Sequence, residues 1–276
     1  MDPQAARAEK FKALHERPGV FAVPNPWDAG SAMMLARLGF EALATTSAGF
    51  AFSLGKPDAE GAVDRDQTLA NVRAIVAATD LPVSADLENG FGDAPEACAE
   101  TILRAAAVGL VGGSIEDATG RDGDPIYPFD LAVQRVKAAV RAARSLPFPF
   151  MLTARAENFL HRRLDLADTI RRIEAFAEAG ADVLYAPGLR TREHVAAVVK
   201  AVAPKPVNVI VGIAGASFSL DELAALGVKR VSTGSALARA AYGAFLRAAQ
   251  EIRDKGTFTF AREAVPFAEI NAMFRR

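Results

Sequence analysis

The chain is poor in residues that cross-link, ligate soft metals or anchor to membranes. It has one cysteine, Cys98, in 276 residues. That excludes an internal disulfide framework and a cysteine-based zinc centre, and it fits a reducing, cytoplasmic setting. Of three histidines, His15 and His194 fall in helical patterns expected to face solvent, and His161 falls in a polar loop. None has a neighbour that makes a nucleophile–base pair, so a Ser-His-Asp hydrolase is a weak reading. No apolar run approaches the roughly 18 residues of a membrane span, and the opening MDPQAARAEKF lacks a signal-peptide core. Charge of one sign is missing too: 32 Lys and Arg face 33 Asp and Glu, for a formal net charge of -1. Without a basic cluster, neither nucleic acid nor an anionic membrane is an expected partner.

What is present is apolar residue, 51% of the chain, in short runs. The strand-like runs are VFAV (from Val20), ALATTS (Ala42), PVSADLE (Pro82), GGSIED (Gly112), PFMLTAR (Pro149), ADVLYAP (Ala181), PVNVIVG (Pro206) and KRVSTGS (Lys229). Nearly all are too short and too apolar to be half-exposed antiparallel strands and read as buried parallel ones. Alanine-rich helical stretches separate them. Asp28, Asp66, Asp93 with Pro95, Asp130 and Asp165 stand where helices should open, and Gly39, Gly109, Gly180 and Gly227 where they should close. About eight such units predict a (β/α)8 barrel of the α/β class in a single domain, residues 1–276, with its core at about 20–250. A doubly wound open sheet is the alternative. It would want a G-x-G-x-x-G turn after the first strand, and none is there. An N-terminal helix (about Pro3 to Glu16) and a tail (256–276) lie outside the repeat. The tail, FTFAREAVPFAEINAMF, is too apolar for a free end and is expected to pack on the barrel or a neighbouring subunit.

Barrels of this kind keep their chemistry at the C-terminal ends of the strands. The second strand ends in Thr45-Thr46-Ser47-Ala48-Gly49, the third in Asp86-Leu87-Glu88-Asn89-Gly90 and the fourth in Glu116-Asp117. The fifth carries Arg155 and Glu157, the seventh Asn208, and the eighth Ser232, Thr233 and Ser235. Carboxylates converging on one rim repel unless a cation or shared protons offset them. Hard oxygen donors without cysteine or a strand-end histidine point to Mg2+ or Mn2+ rather than zinc. Strand-end acids also serve as helix caps and loop ion pairs. Arg155 fits either a structural pair with Glu157 or Asp117, or a substrate carboxylate or phosphate. Ser47-Ala48-Gly49 fits a plain turn or a nest of amides for an anion. Cys98, mid-helix, reads as an inert buried thiol, and Trp27 as a pocket wall or a packing residue.

Taken together, NPWDAGSA, TTSAGFAFSLGKPD, ADLENGFGD, SIEDATG, LTARAEN, GADVLYAPG and LDELAALGVKRVSTG resemble the isocitrate lyase and phosphoenolpyruvate mutase superfamily, over roughly Val20 to Ala249. The resemblance implies a lyase that works on small 2-oxo acids. It makes Asp86 the direct magnesium ligand, with Glu88 and Glu116 holding the metal's waters; Glu88 stands where the family usually has Asp. Ser47, Ala48 and Gly49 become the backbone cradle for the 2-oxo carboxylate. Arg155 pairs with the carboxylate and steadies an enolate, Asp58 stands near the reacting carbon, and Asn208 lines the far end of the pocket. The implied partners are substrates such as oxaloacetate, pyruvate or 2-oxoglutarate and a homotetramer that exchanges C-terminal helices. Three departures narrow this. The loop DATGRDGDPIYPFD lacks the K-K-C-G-H stretch of the isocitrate-type lyases, whose cysteine serves as the acid. Ala186-Pro187-Gly188 stands where those lyases carry a Glu. The asparagine-bearing loop of the mutase is not evident. The surviving expectation is a Mg-dependent C–C lyase or decarboxylase acting through an enolate, with the loop from Ala118 to Tyr127 as a lid. C–P chemistry on phosphonopyruvate, or 2-oxo-acid binding with little catalysis, are the alternatives.

Overall fold

A computed structural model of the chain describes residues 2–58, 60–213 and 217–275. Helix α1 (Pro3–Glu16) comes first, then β1 (Phe21–Val23), α2 (Ala29–Arg37), β2 (Leu43–Ala44), α3 (Ser47–Ser53), α4 (Arg65–Ala77), β3 (Val83–Asp86), α5 (Pro95–Ala107) and β4 (Gly112–Glu116). The second half runs α6 (Phe129–Arg144), β5 (Met151–Arg155), α7 (Leu166–Glu178), β6 (Val183–Tyr185), α8 (Arg192–Val202), β7 (Val207–Ile210), α9 (Leu220–Ala225), β8 (Arg230–Ser232) and α10 (Ala236–Lys255). A 3-10 turn at Thr259–Arg262 and α11 (Phe267–Ala272) follow.

All recorded strand pairs are parallel, in the order β1-β8-β7-β6-β5-β4-β3-β2, so the last strand returns to the first. The remaining seam is bridged by the Ala44 N–H donating to the Pro24 carbonyl (3.2 Å) and Asn25 Nδ2 donating to the Thr45 carbonyl (2.9 Å). This is a (β/α)8 barrel. Strands of two to five residues suffice because both faces are covered, by helices outside and by inward side chains within.

The helix signals were partly misplaced. Asp28 and Asp165 do cap α2 and α7. Helix α4, however, is capped by Asp64, whose carboxylate accepts the Gln67 N–H (2.8 Å) while Gln67 Oε1 accepts the Asp64 N–H (3.3 Å). That Asp-x-x-Gln box outcompetes Asp66, which lies in the first turn. Pro128 and Ala94 occupy the N-cap positions of α6 and α5, leaving Asp130 in the first turn and freeing Asp93 for another task. The four glycines do close their helices at positive φ, from 83° to 102°. Residues 47–49, expected to form either a plain turn or a nest of amides, open α3, with the Thr46 hydroxyl accepting the Gly49 N–H (3.2 Å).

The N-terminal end of the barrel is plugged by α1. Phe11 and Leu14 pack against Phe21, Val111, Met151 and Val183, the starts of four strands. Gln4 Nε2 donates to the carbonyls of Ala106 (2.8 Å) and Leu110 (2.9 Å). The plug explains Gly112: a Cβ there would stand 2.9 Å from both Phe11 Cε1 and the Met151 carbonyl oxygen. At the other terminus Phe274 reaches Gly30 of α2 and the Arg37 guanidinium binds the Arg275 carbonyl. Phe245, Phe258 and Phe267 stay exposed. No helix among the described residues is long and apolar enough to cross a membrane.

The plug also corrects the expectation for His15, which is buried rather than exposed. Its Nδ1 lies 2.8 Å from the Phe11 carbonyl, which can only accept, so the neutral Nδ1–H form is assigned; Nε2 is buried without a partner. Burial first, then the charge of Arg230, push its pKa down to about 3. An unfolded histidine titrates near 6.5, so the unfolded chain takes up the proton first as pH falls. The stability held above pH 6.5 is therefore lost between about 6.5 and 3, by about 2 kcal/mol at pH 5. Urea unfolding of His15→Leu at pH 8 and pH 5 should show that much less acid destabilisation than the parent chain. An identical pH dependence would refute the assignment.

Candidate active site

Side-chain alternation along the strands builds the site. Ser84 and Asp86 on β3, Ser114 and Glu116 on β4, Thr153 and Arg155 on β5, Asn208 on β7, and Arg230 and Ser232 on β8 carry the polar groups of the barrel interior. Asp117, next to Glu116, consequently points outward. Its carboxylate accepts the Glu157 N–H (2.8 Å) and pairs with Arg172 of α7 (3.0 Å). It is a strut between β4 and α7, not a rim acid. Burial pushes it up to about 6 against the pull of that hydrogen bond and of Arg172.

Arg155 is the hub of the interior. Nη1 reaches Asp86 (2.8 Å), Nη2 reaches Glu116 (3.1 Å) and Nε reaches Glu157 (2.8 Å), and the guanidinium lies over the Tyr185 ring at 5.2 Å. Burial alone would lower its pKa, but Glu116, Glu157 and Asp86 hold it higher still. Asp86 is gripped from its other side by the Ser47 hydroxyl (2.9 Å). This is what the start of α3 does: Thr46 caps the helix and presents Ser47 to the end of β3. Gly49 is small because a Cβ there would stand 3.0 Å from Trp27 Cβ and 2.6 Å from Thr46 Cγ2. Trp27 therefore packs behind α3.

Two adjoining cavities meet at this cluster. The inner one, about 190 Å³, is bounded by Ser47, Ala48, Asp58, Asp86, Arg155, Asn208 and Arg230 among others. The outer one, about 620 Å³, opens beyond Glu88 and Glu116 and is bordered by Thr119, Gly120 and His161. Glu88 stands in the left-handed region (φ 47°), uncommon for a residue with a side chain. It is held there by its carbonyl accepting the Glu116 N–H (3.0 Å). Burial, then the charges of Asp86 and Asp58, raise Glu88 to about 8. Burial raises Glu116 well above the usual carboxylate range despite the opposing pull of Arg155.

The donor set fits a hard divalent cation. Oxygen donors dominate, and carboxylates outnumber the one guanidinium among them. Glu88, raised to about 8, holds a proton at neutral pH that a cation would displace. Among the described residues no three His, Cys, Asp or Glu side chains form a close-set metal cluster. Mg2+ needs none, because it keeps several waters and takes one or two direct carboxylates.

The loop from Ala118 to Tyr127 is a small hairpin, with Ala118 bridging antiparallel to Ile126. The freed Asp93 fastens it, accepting from the Tyr127 hydroxyl (2.6 Å) and from Arg121 Nη1 (3.0 Å). Cys98 is buried and its thiol faces the Asn89 carbonyl (3.7 Å).

The strand-end residues Asp86, Glu116, Arg155 and Asn208 thus meet in one interior, with Ser47, Ala48, Asp58 and Glu88 at its mouth. Gly49 sits one position behind. Several residues of the interior went unread, Tyr185 and Arg230 foremost, with Ser84, Ser114 and Thr153 beside them. Tyr185 closes β6, and Arg230 lies at the start of β8, fully inside and bonded to Asn208 Oδ1 (2.9 Å). An arginine at the head of the short KRVSTGS run was the available signal for Arg230.

A family model described as phosphoenolpyruvate phosphomutase matches residues 11–253. The chain is similar, at 63% identity, to a structure of a putative lyase/mutase from Burkholderia cenocepacia (TM-score 0.97; 100% of this chain and 98% of that one). It is 30% identical to 2-methylisocitrate lyase of Bacillus subtilis over 69% of this chain and 63% of that protein. An oxaloacetate acetylhydrolase solved with its product oxalate is 26% identical (TM-score 0.88; 99% and 95% covered).

Removing the hub strands the buried Glu157 and the largely buried Asp86 and Glu116, and stranding buried charges costs about 3–5 kcal/mol. Arg155→Met should lose about that much in chemical denaturation, and Arg155→Lys less. A loss below about 1 kcal/mol would show that protons already neutralise the carboxylates.

Proposed function

The chain belongs to the phosphoenolpyruvate phosphomutase family of the isocitrate lyase/PEP mutase superfamily, and from that premise we propose that it is a magnesium-dependent carbon–carbon lyase or decarboxylase of small 2-oxo acids. The observation that carries this reading is the position of Asp86. It is fixed by Ser47 and Arg155, faces Glu88 and Glu116 nearby, and stands at the mouth of a small polar cavity.

Asp86 would hold the magnesium directly, with Glu88 and Glu116 binding its waters, and the metal when bound would supply Lewis-acid polarisation of the 2-oxo group. Arg155 places a fixed positive charge where negative charge develops as the bond beyond C3 breaks. For an oxaloacetate-like acid, that bond's electron pair passes to the enolate and carbon dioxide leaves. For a 4-hydroxy-2-oxo acid, a proton leaves the hydroxyl as an aldehyde is released. Asp58, on the cavity wall, is the group placed to exchange a proton at the reacting carbon. Ser47 orients Asp86, and Ser47, Ala48 and Gly49 are the proposed cradle for the 2-oxo carboxylate. The Thr46 hydroxyl already takes the Gly49 amide and Asp86 the Ser47 amide (3.4 Å), so Ala48 is the amide left to carry that role. Asn208, bonded to Ser232 (3.0 Å) and Arg230, acts as a rigid wall. The latched hairpin at Ala118–Tyr127 supports exclusion of water from the outer cavity without a loop cysteine.

The test is turnover of oxaloacetate and a set of 4-hydroxy-2-oxo acids with magnesium. Asp86→Ala should lose at least about 100-fold in kcat/KM, and equal turnover by the variant would refute the metal assignment. The family description keeps C–P chemistry as the second reading. Phosphonopyruvate followed by phosphorus NMR would favour it if phosphate or a rearranged product appears while the 2-oxo acid panel stays silent. Tight binding of oxalate with no turnover on either panel would instead leave a 2-oxo-acid-binding protein.

The exposed aromatics of α10 and the tail, with Phe267 82% exposed, support a homo-oligomer, proposed as a tetramer that exchanges its C-terminal helices. A chain ending at Lys255 should be smaller by light scattering than the full-length assembly. An unchanged oligomer would count against the exchange.

A further inference from the structure

Arg155 and Arg230 are both buried in the barrel, yet their surroundings are opposite in character. Arg155 touches three carboxylates, whereas among the described residues no carboxylate lies within ion-pair distance of Arg230. Arg230 is 5% exposed. Its Nε donates to Asn208 Oδ1 (2.9 Å) and its Nη2 to Thr153 Oγ1 (2.9 Å), both neutral, and its Nη1 is buried with no partner at all. A guanidinium does not shed its proton in proteins, and a buried charge without a counter-ion is unfavourable unless something pairs with it. Burial lowers its pKa to about 10, which leaves it charged at neutral pH. Neither titratable neighbour can serve as counter-ion: His15 below is held neutral, and the Tyr185 phenol is raised by burial. The open volume that Arg230 borders is the inner cavity of about 190 Å³, whose wall also offers the Ser84, Ser114 and Ser232 hydroxyls.

We propose that Arg230 makes the floor of the inner cavity an anion subsite that takes the second carboxylate of a small dicarboxylate, so that the site prefers dianionic over monoanionic 2-oxo acids. This rests on the 2-oxo-acid reading of the same cavity, in which the first carboxylate sits at the Asp86 and Arg155 end. Arg230 is then a specificity-determining residue. The Asn208 and Thr153 bonds fix the planar fork and leave one edge for the ligand.

The test compares 2-oxoglutarate with 2-oxopentanoate, which share a five-carbon 2-oxo acid skeleton and differ in the second carboxylate. Calorimetry with magnesium should show the wild-type chain binding the dianion at least about 10-fold tighter, equivalent to about 1.4 kcal/mol. In Arg230→Gln that ratio should fall to near one while the affinity for 2-oxopentanoate holds, and Arg230→Lys should retain part of it. No preference in the wild-type chain, or a parallel loss of both ligands in Arg230→Gln, would overturn the proposal. Should Arg230→Gln fail to fold, the wild-type chain still decides: 2-oxoglutarate must raise its melting temperature more than an equal concentration of 2-oxopentanoate. The two readings fail separately. A dianion preference without turnover rejects only the lyase, and turnover without a preference rejects only the subsite.

Discussion

The Arg155 guanidinium is the constraint on which the upper half of the barrel depends. It joins acids from the end of β3 (Asp86), the end of β4 (Glu116) and the segment after β5 (Glu157). Carboxylates so close together and so shielded from water could not all remain ionised without it. Asp86, fixed by Arg155, in turn fixes Ser47, and Ser47 sets where α3 begins. Glu116 holds Glu88 in its uncommon backbone conformation through a main-chain hydrogen bond. One planar cation therefore orders four consecutive loops at the rim, and the geometry of its fork is what a lysine could not reproduce.

Beneath that rim the interior changes character in layers. The hub layer is crowded with negative charge. Below it, Arg230 sits among neutral donors and acceptors, and below that again the barrel is sealed by Phe11, Leu14 and neutral His15. The potential thus turns from negative at the mouth to positive at depth within one small cavity. A ligand with separated charges feels that gradient along its whole length, which is a stronger filter than any single contact.

Much of this was legible because strand parity and strand ends are local properties. Asp86, Glu116, Arg155 and Asn208 could be read from short apolar runs ending in polar residues, and the eight-unit repeat with its glycine stops pointed to the barrel. Failures came where parity or packing decided. Asp117 follows Glu116 in sequence but faces the opposite way, so it belongs to α7 and not to the rim. Residues 47–49 suited a turn or an amide nest because small residues serve both, yet Gly49 is small to let α3 approach Trp27. His15 lies on a helix with no clear apolar face, so its burial depends on the plug, which exists only in the folded barrel. Arg230 went unread because a three-residue strand offers too few positions to fix which side faces inward.

The plug itself has a bearing on how the molecule is assembled. Helix α1 precedes every strand of the barrel in the chain, yet Gln4 and Phe11 find partners at Ala106, Leu110 and Gly112, about a hundred residues later. Until β4 emerges, Phe11 and Leu14 have Phe21 but not Val111 to seat against, and loop closure over that distance must precede the full gain from docking. Helix α1 is therefore secured only once a part of the chain about a hundred residues downstream has folded against it, and the N-terminal end of the barrel stays open until then.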